Sequence, residues 1–115
     1  MYICSQIFNK SMNTQIFENI CTLKRQLLPN DRMILFGSQA RGDAREDSDW
    51  DLLVVLNTEK RNFNEDYDKY AYPFAKLGLK YNAPMSIQLF TTKDWEKQKP
   101  SIFYKNIEKE GIEII

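Results

Sequence analysis

The chain has 115 residues, 43% of them hydrophobic, with 16 basic and 16 acidic side chains and no histidine. That length supports one domain with its own core, expected to span 1–115. Charge balance argues against direct nucleic-acid binding as the main task. The absence of histidine excludes Ser-His and Cys-His nucleophile pairs and most zinc sites, so acid-base or metal chemistry must rest on carboxylates.

Residues 1–10 read either as an added strand or as a loose start of the first helix. The N-terminus lacks the pattern of a secretory signal, and no apolar run reaches the roughly 18–20 residues needed to span a bilayer. Cys4 and Cys21 form neither a metal spacing nor a framework, and read as free thiols in a reducing compartment. A cytoplasmic location without membrane contact is the expectation.

From Ser11 the apolar spacing is helical. Ile16, Ile20, Leu23 and Leu27 share one face, which Phe17, Cys21 and Leu28 widen. Pro29-Asn30-Asp31 ends the helix. The unbroken apolar run from Met33 to Phe36 predicts a strand covered on both faces. "SQAR" has room for one helical turn, with Ser38 as N-cap and Gly42 as stop. After a charged loop, "DWDLLVVL" predicts a second doubly covered strand.

Tyr67, Tyr70, Ala71, Phe74 and Leu77 mark a helix that Pro73 should kink or divide and Gly78 should cap. A third strand is expected over Met85–Thr91. Two short helical pieces separated by Pro100 follow, and "GIEII" closes the chain as an edge strand. The aromatic side chains Tyr67, Tyr70, Tyr72 and Phe74 read as core and partner surface.

The chemistry concentrates in "FGSQARGDAREDSDWDLLVVL". In a strand, Asp49 and Asp51 point to one face and Trp50 to the other. Two like charges about 5 Å apart repel by roughly 3 kcal/mol at an effective dielectric of about 20. Protonation, a nearby arginine (Arg41 or Arg45) or a hard cation would each lower that cost. Gly37 permits close backbone approach. A helix starting at Ser38 would direct free N–H groups at a phosphate above the strand end. For Ser38 alone, plain capping is the simpler reading, and for Arg41 and Arg45 a solvated loop. A phosphate-binding turn facing a carboxylate pair is what metal-assisted nucleotidyl transfer needs.

Gly37-Ser38, ten residues, then Asp49-Trp50-Asp51 resembles the signature of the DNA polymerase β-like nucleotidyltransferase superfamily. The longer string resembles its minimal nucleotidyltransferase branch, small proteins often encoded beside a HEPN-domain partner. The resemblance implies an α+β fold, a short mixed β-sheet with helices packed mainly on one face. It implies that Gly37 and Ser38 hold the β- and γ-phosphates of ATP or another nucleoside triphosphate, with Arg41 as a further phosphate contact. Asp49 and Asp51 would be catalytic and would bind two Mg²⁺ ions, with Mn²⁺ as a substitute. AMP would pass to a partner protein such as a HEPN toxin, with a homodimer as another means of selecting the substrate.

That family usually carries a third carboxylate on the next core strand. The matching position here is Ser86, with Gln88 its neighbour on that face. Neither is a base at neutral pH or a strong Mg²⁺ ligand. Arg45, Ser86 and Gln88 therefore complete the candidate set without an assigned step. Three functions stay open at this point: an AMP-transferring enzyme, an antitoxin-like subunit that inhibits its partner by contact, and an ATP-sensing module.

Overall fold

A computed structural model describes residues 13–115. The alternatives for residues 1–10, the helix start at Ser11 and the state of Cys4 lie outside the described residues.

The first helix, α1 (Thr14–Leu27), is capped by Asn13, whose side chain accepts from the N–H groups of Gln15 and Ile16 at 3.1 and 3.2 Å. Its buried face holds Ile16, Phe17, Ile20 and Cys21. Cys21 is engaged in a disulfide, which corrects the free-thiol expectation. A single bridge needs neither a metal spacing nor a multi-cysteine framework, so their absence carried no information about it.

Among the described residues four strands form one sheet: β1 (Arg32–Phe36), β2 (Trp50–Leu56), β3 (Met85–Thr91) and β4 (Ile112–Ile114). Their order is β3-β2-β1-β4. β1 pairs antiparallel with β2 and β4, while β2 and β3 run parallel. The two unbroken apolar runs are thus the two central strands.

Alternation along them sorts side chains into two cores. Met33, Leu35, Trp50, Leu52 and Val54 meet α1 and Phe74 in the larger one. Ile34, Leu53 and Val55 meet Trp95 and Ile107 in the smaller one. The main helical layer covers one face, as the pattern implied. The other face is roofed by two shorter helices, α5 (Thr92–Lys97) and α6 (Ile102–Glu110).

Between β2 and β3 run α3 (Phe63–Asp66), a π-helical segment (Tyr67–Ala71) and α4 (Tyr72–Lys80). Pro73 occupies the first turn of α4, where its missing N–H is harmless, and the wide π turn joins it to α3. Gly78 does not cap this helix, contrary to expectation. It lies inside α4, and a Cβ there would overlap the Ala83 carbonyl and stand 3.0 Å from Met85 Cγ. Close packing against the turn into β3, not chain termination, requires the glycine.

Arg32 fastens the last elements to the sheet. Its Nη1 meets Glu108 of α6 and its Nε meets Glu113 of β4, each at 2.8 Å. The hydrogen bond to Glu113 is the largest cause holding this guanidinium more firmly protonated than an ordinary arginine. Phe103 of α6 also packs edge-on against Phe36, with centroids 5.8 Å apart. That contact sets the helix beside the residue that follows Phe36, which is Gly37. None of the helices is long and apolar enough to cross a membrane among the described residues.

Candidate active site

At the end of β1 the backbone of Gly37 takes φ 75°, ψ −156°. A side chain could not follow it there, since that region is open essentially to glycine. The turn opens α2 (Ser38–Arg41), which ends at Gly42 in the left-handed conformation, as expected of a stop. Gly37 itself is the N-cap, and Ser38 is the first helical residue. This corrects the expected cap: no side-chain capping bond is made, so the Ser38 hydroxyl remains available for a ligand.

Asp51 lies directly opposite, as the register partner of Phe36. A Cβ built on Gly37 would overlap the Asp51 carboxylate. The turn and the carboxylate share one cleft of about 420 Å³, lined also by Phe36, Ser38, Arg41 and the α6 residues Phe103, Asn106, Ile107 and Glu110. Burial raises the Asp51 carboxyl above the usual range, the charge of Asp49 raises it further, and Arg41 opposes both. Asp49 is exposed at the mouth of β2 and Trp50 is buried on the opposite face. Arg41 Nε reaches Asp43 at 3.3 Å in an exposed pair, which leaves the guanidinium near the cleft.

The remaining candidates divide. Ser86 is the register partner of Asp51 across the parallel β2–β3 pair, and Gln88 that of Leu53, so both lie on the Asp51 face. Both are exposed. Two carboxylates outside that candidate set, Asp94 and Glu96, sit on α5 at the other end of β3, roughly 15–20 Å along the strand at about 3.3 Å per residue. Arg45 does not join the cleft. It lines a separate cavity of about 490 Å³ on the Trp50 side, together with Gln39 and Tyr81.

Sequence reasoning missed Asn106 and Glu110. Their spacing of four, interleaved with Phe103 and Ile107, identifies only one helix face. It takes the Arg32 clamp and the Phe36–Phe103 contact to bring that face over the Gly37 turn.

The donor set suits a hard cation. Among the described residues no group of three His, Cys, Asp or Glu is placed to hold a metal. Mg²⁺, however, is commonly held by one or two carboxylates together with substrate phosphates and water. Two adjacent carboxylates, one of them half-buried and strained by its neighbour's charge, supply that number of ligands and a reason for a cation to be welcome. The chemistry such an ion supplies is neutralisation of charge on phosphate oxygens.

Residues 15–111 match the nucleotidyltransferase domain family. The chain belongs to that family. Two relatives from Methanocaldococcus jannaschii carry the name Putative protein adenylyltransferase. MJ0604 is 34% identical over 80 residues, covering 70% of this chain and 73% of its own length. MJ0141 is 32% identical over 97 residues, covering 84% and 89%. The nucleotidyltransferase domain thus takes in both halves of the site, the Gly37-Ser38 turn and the Asp49/Asp51 pair.

Proposed function

We propose that this nucleotidyltransferase transfers AMP from ATP to a hydroxyl-bearing side chain of a partner protein in a Mg²⁺-dependent reaction. The observation that carries the reading is the shared cleft of Gly37, Ser38 and Asp51, whose carboxylate feels the charge of Asp49, in a chain whose relatives are named for protein adenylylation. Ser38 and the N–H groups of the Gly37 turn hold the β- and γ-phosphates, and Arg41 adds positive charge. Asp49 and Asp51 would hold the metal ions. The acceptor oxygen bonds to the α-phosphorus, the bond from that phosphorus to the bridging oxygen breaks, and pyrophosphate leaves. The hydroxyl proton passes to water, because Ser86 and Gln88 on that side of Asp51 carry no base.

The product of the neighbouring gene is the first acceptor to test, above all where it is a HEPN-domain protein. With α-labelled ATP and Mg²⁺, label should move to that protein, and mass spectrometry should find one or more added AMP groups. Absence of transfer, or transfer that survives Asp49→Asn with Asp51→Asn, would defeat the reading. Ser86 beside Asp51 favours a second reading, a subunit that neutralises its partner by contact alone. That reading requires the same double variant to neutralise the partner fully.

A further inference from the structure

Among the described residues β3 is an edge strand, bonded to β2 on one side only. The Pro84 carbonyl accepts from the Trp50 N–H at 2.9 Å. Backbone groups alternate in direction along a strand. Residues Ser86 and Gln88 therefore turn theirs toward β2, and Met85, Ile87 and Leu89 turn theirs outward. The far part of this outer edge is sealed, since the Leu89 carbonyl accepts from Arg61 Nη1 at 2.6 Å. Arg61 is fixed in turn by Asp66 at 2.9 Å. The outward groups of Met85 and Ile87 find no partner among the described residues.

The open part of the edge is the part beside the site. Ser86 sits between Met85 and Ile87 and pairs in register with Asp51. Strand order then sets the layout: the Gly37–Ser38 turn follows β1, Asp51 is on β2, and the open edge is on β3. Asp51 stands between the phosphate turn and that edge. The two faces of the edge differ. Ser86 and Gln88 are small or polar and exposed on the Asp51 face. On the other face an apolar groove of about 300 Å³ runs between Leu79 of α4 and Met85, with Leu79 81% exposed.

We propose that the open end of β3 receives an extended segment of the acceptor protein as an added strand. One apolar side chain of that segment enters the Leu79–Met85 groove, and the hydroxyl of the adjacent residue lies over Ser86, toward Asp51. The proposal rests on the AMP-transfer reading and adds how the acceptor is presented. Strand addition takes its affinity from main-chain bonds and its selectivity from alternate side chains. The acceptor therefore carries a hydroxyl residue directly flanked by apolar ones. Arg61 limits the pairing to the catalytic end of the edge.

The test uses an acetylated, amidated peptide, Lys-Leu-Ser-Leu-Ser-Leu-Lys, at millimolar concentration against the ¹⁵N-labelled protein. Amide exchange at Met85 and Ile87 should slow about tenfold, and Leu79→Lys should abolish most of that protection. No protection at these two amides overturns the proposal. So does equal binding of a peptide N-methylated at alternate residues, which would mean side-chain docking alone. Protection that appears without peptide and grows with protein concentration also overturns it, assigning the edge to a second copy of this chain. Calorimetry with Mg²⁺ and ATP separates the two layers. ATP binding without amide protection removes the docking proposal alone. Protection without ATP binding supports the docking surface and removes the transfer reading.

Discussion

Gly37 and Asp51 touch: the α-carbon of one leaves no room for a side chain beside the carboxylate of the other. The first prediction follows from that relationship. Gly37→Ala meets both a backbone region closed to alanine and a direct overlap with Asp51. Strain of this kind costs about 1–3 kcal/mol. Thermal unfolding should show that loss, and calorimetry with Mg²⁺ and ATP should show binding weakened far beyond what stability explains.

Asp51 itself should trade stability for function. Its carboxyl is raised in the folded protein by burial and by Asp49, the reverse of a salt-bridged aspartate. Between the ordinary value and the raised one, the folded state therefore holds a proton that the unfolded chain has lost. Its contribution to stability is greatest below the ordinary carboxylate range and falls as pH rises through the raised value. At neutral pH without metal, Asp51→Asn should raise the melting temperature by about 1–4 °C. The gap between the two proteins should close below about pH 4. Mg²⁺ should stabilise the wild type and leave the variant unmoved, which differential scanning fluorimetry across pH would check.

Much of this was legible beforehand for a definite reason. Unbroken apolar runs from Met33 to Phe36 and from Leu52 to Leu56 suggest the centre of a sheet, and the glycine turn between them leads to the start of the second. The cap assignment at Ser38 failed because Gly37, with no side chain, can adopt a cap backbone that needs no side-chain bond. Gly78 was misread because a tight packing position and a helix stop look alike in sequence. The α6 wall of the cleft was not legible, since Asn106 and Glu110 acquire their place from Arg32 and Phe36, some 70 residues earlier in the chain.

Arg32 offers a test of that wall. Its pairs with Glu108 and Glu113 are about one-third solvent-exposed or less, so screening limits their worth. Arg32→Gln should cost about 0.5–1.5 kcal/mol in all. The loss should be local: amide exchange in β4 and α6 should rise more than in β2, with weaker nucleotide binding as the cleft wall loosens. A uniform rise throughout the sheet would contradict the local role.

Gly78→Ala probes the junction between α4 and β3. Alanine is the better helix former by about 1 kcal/mol, so on an open helix face the change would stabilise. Here the added methyl meets the Ala83 carbonyl and Met85, and overpacking of this kind costs about 1–3 kcal/mol. The expected sign is destabilisation, measured by urea unfolding. A stabilised variant would show that the turn into β3 yields freely.

Ser86→Asp places a carboxylate at the register partner of Asp51. The position is exposed, so the fold should tolerate the change. Without metal, a third like charge beside Asp49 and Asp51 should lower the melting temperature by about 1–3 °C. With metal the sign should reverse, because ligand charge count tunes the affinity of hard-cation sites. Mg²⁺ or Mn²⁺ affinity should rise about tenfold, an effect of roughly 1.4 kcal/mol. If AMP transfer in the natural chain is limited by the missing base, the variant should also transfer faster. Tighter metal binding without faster transfer would place the limit at acceptor docking along β3 instead.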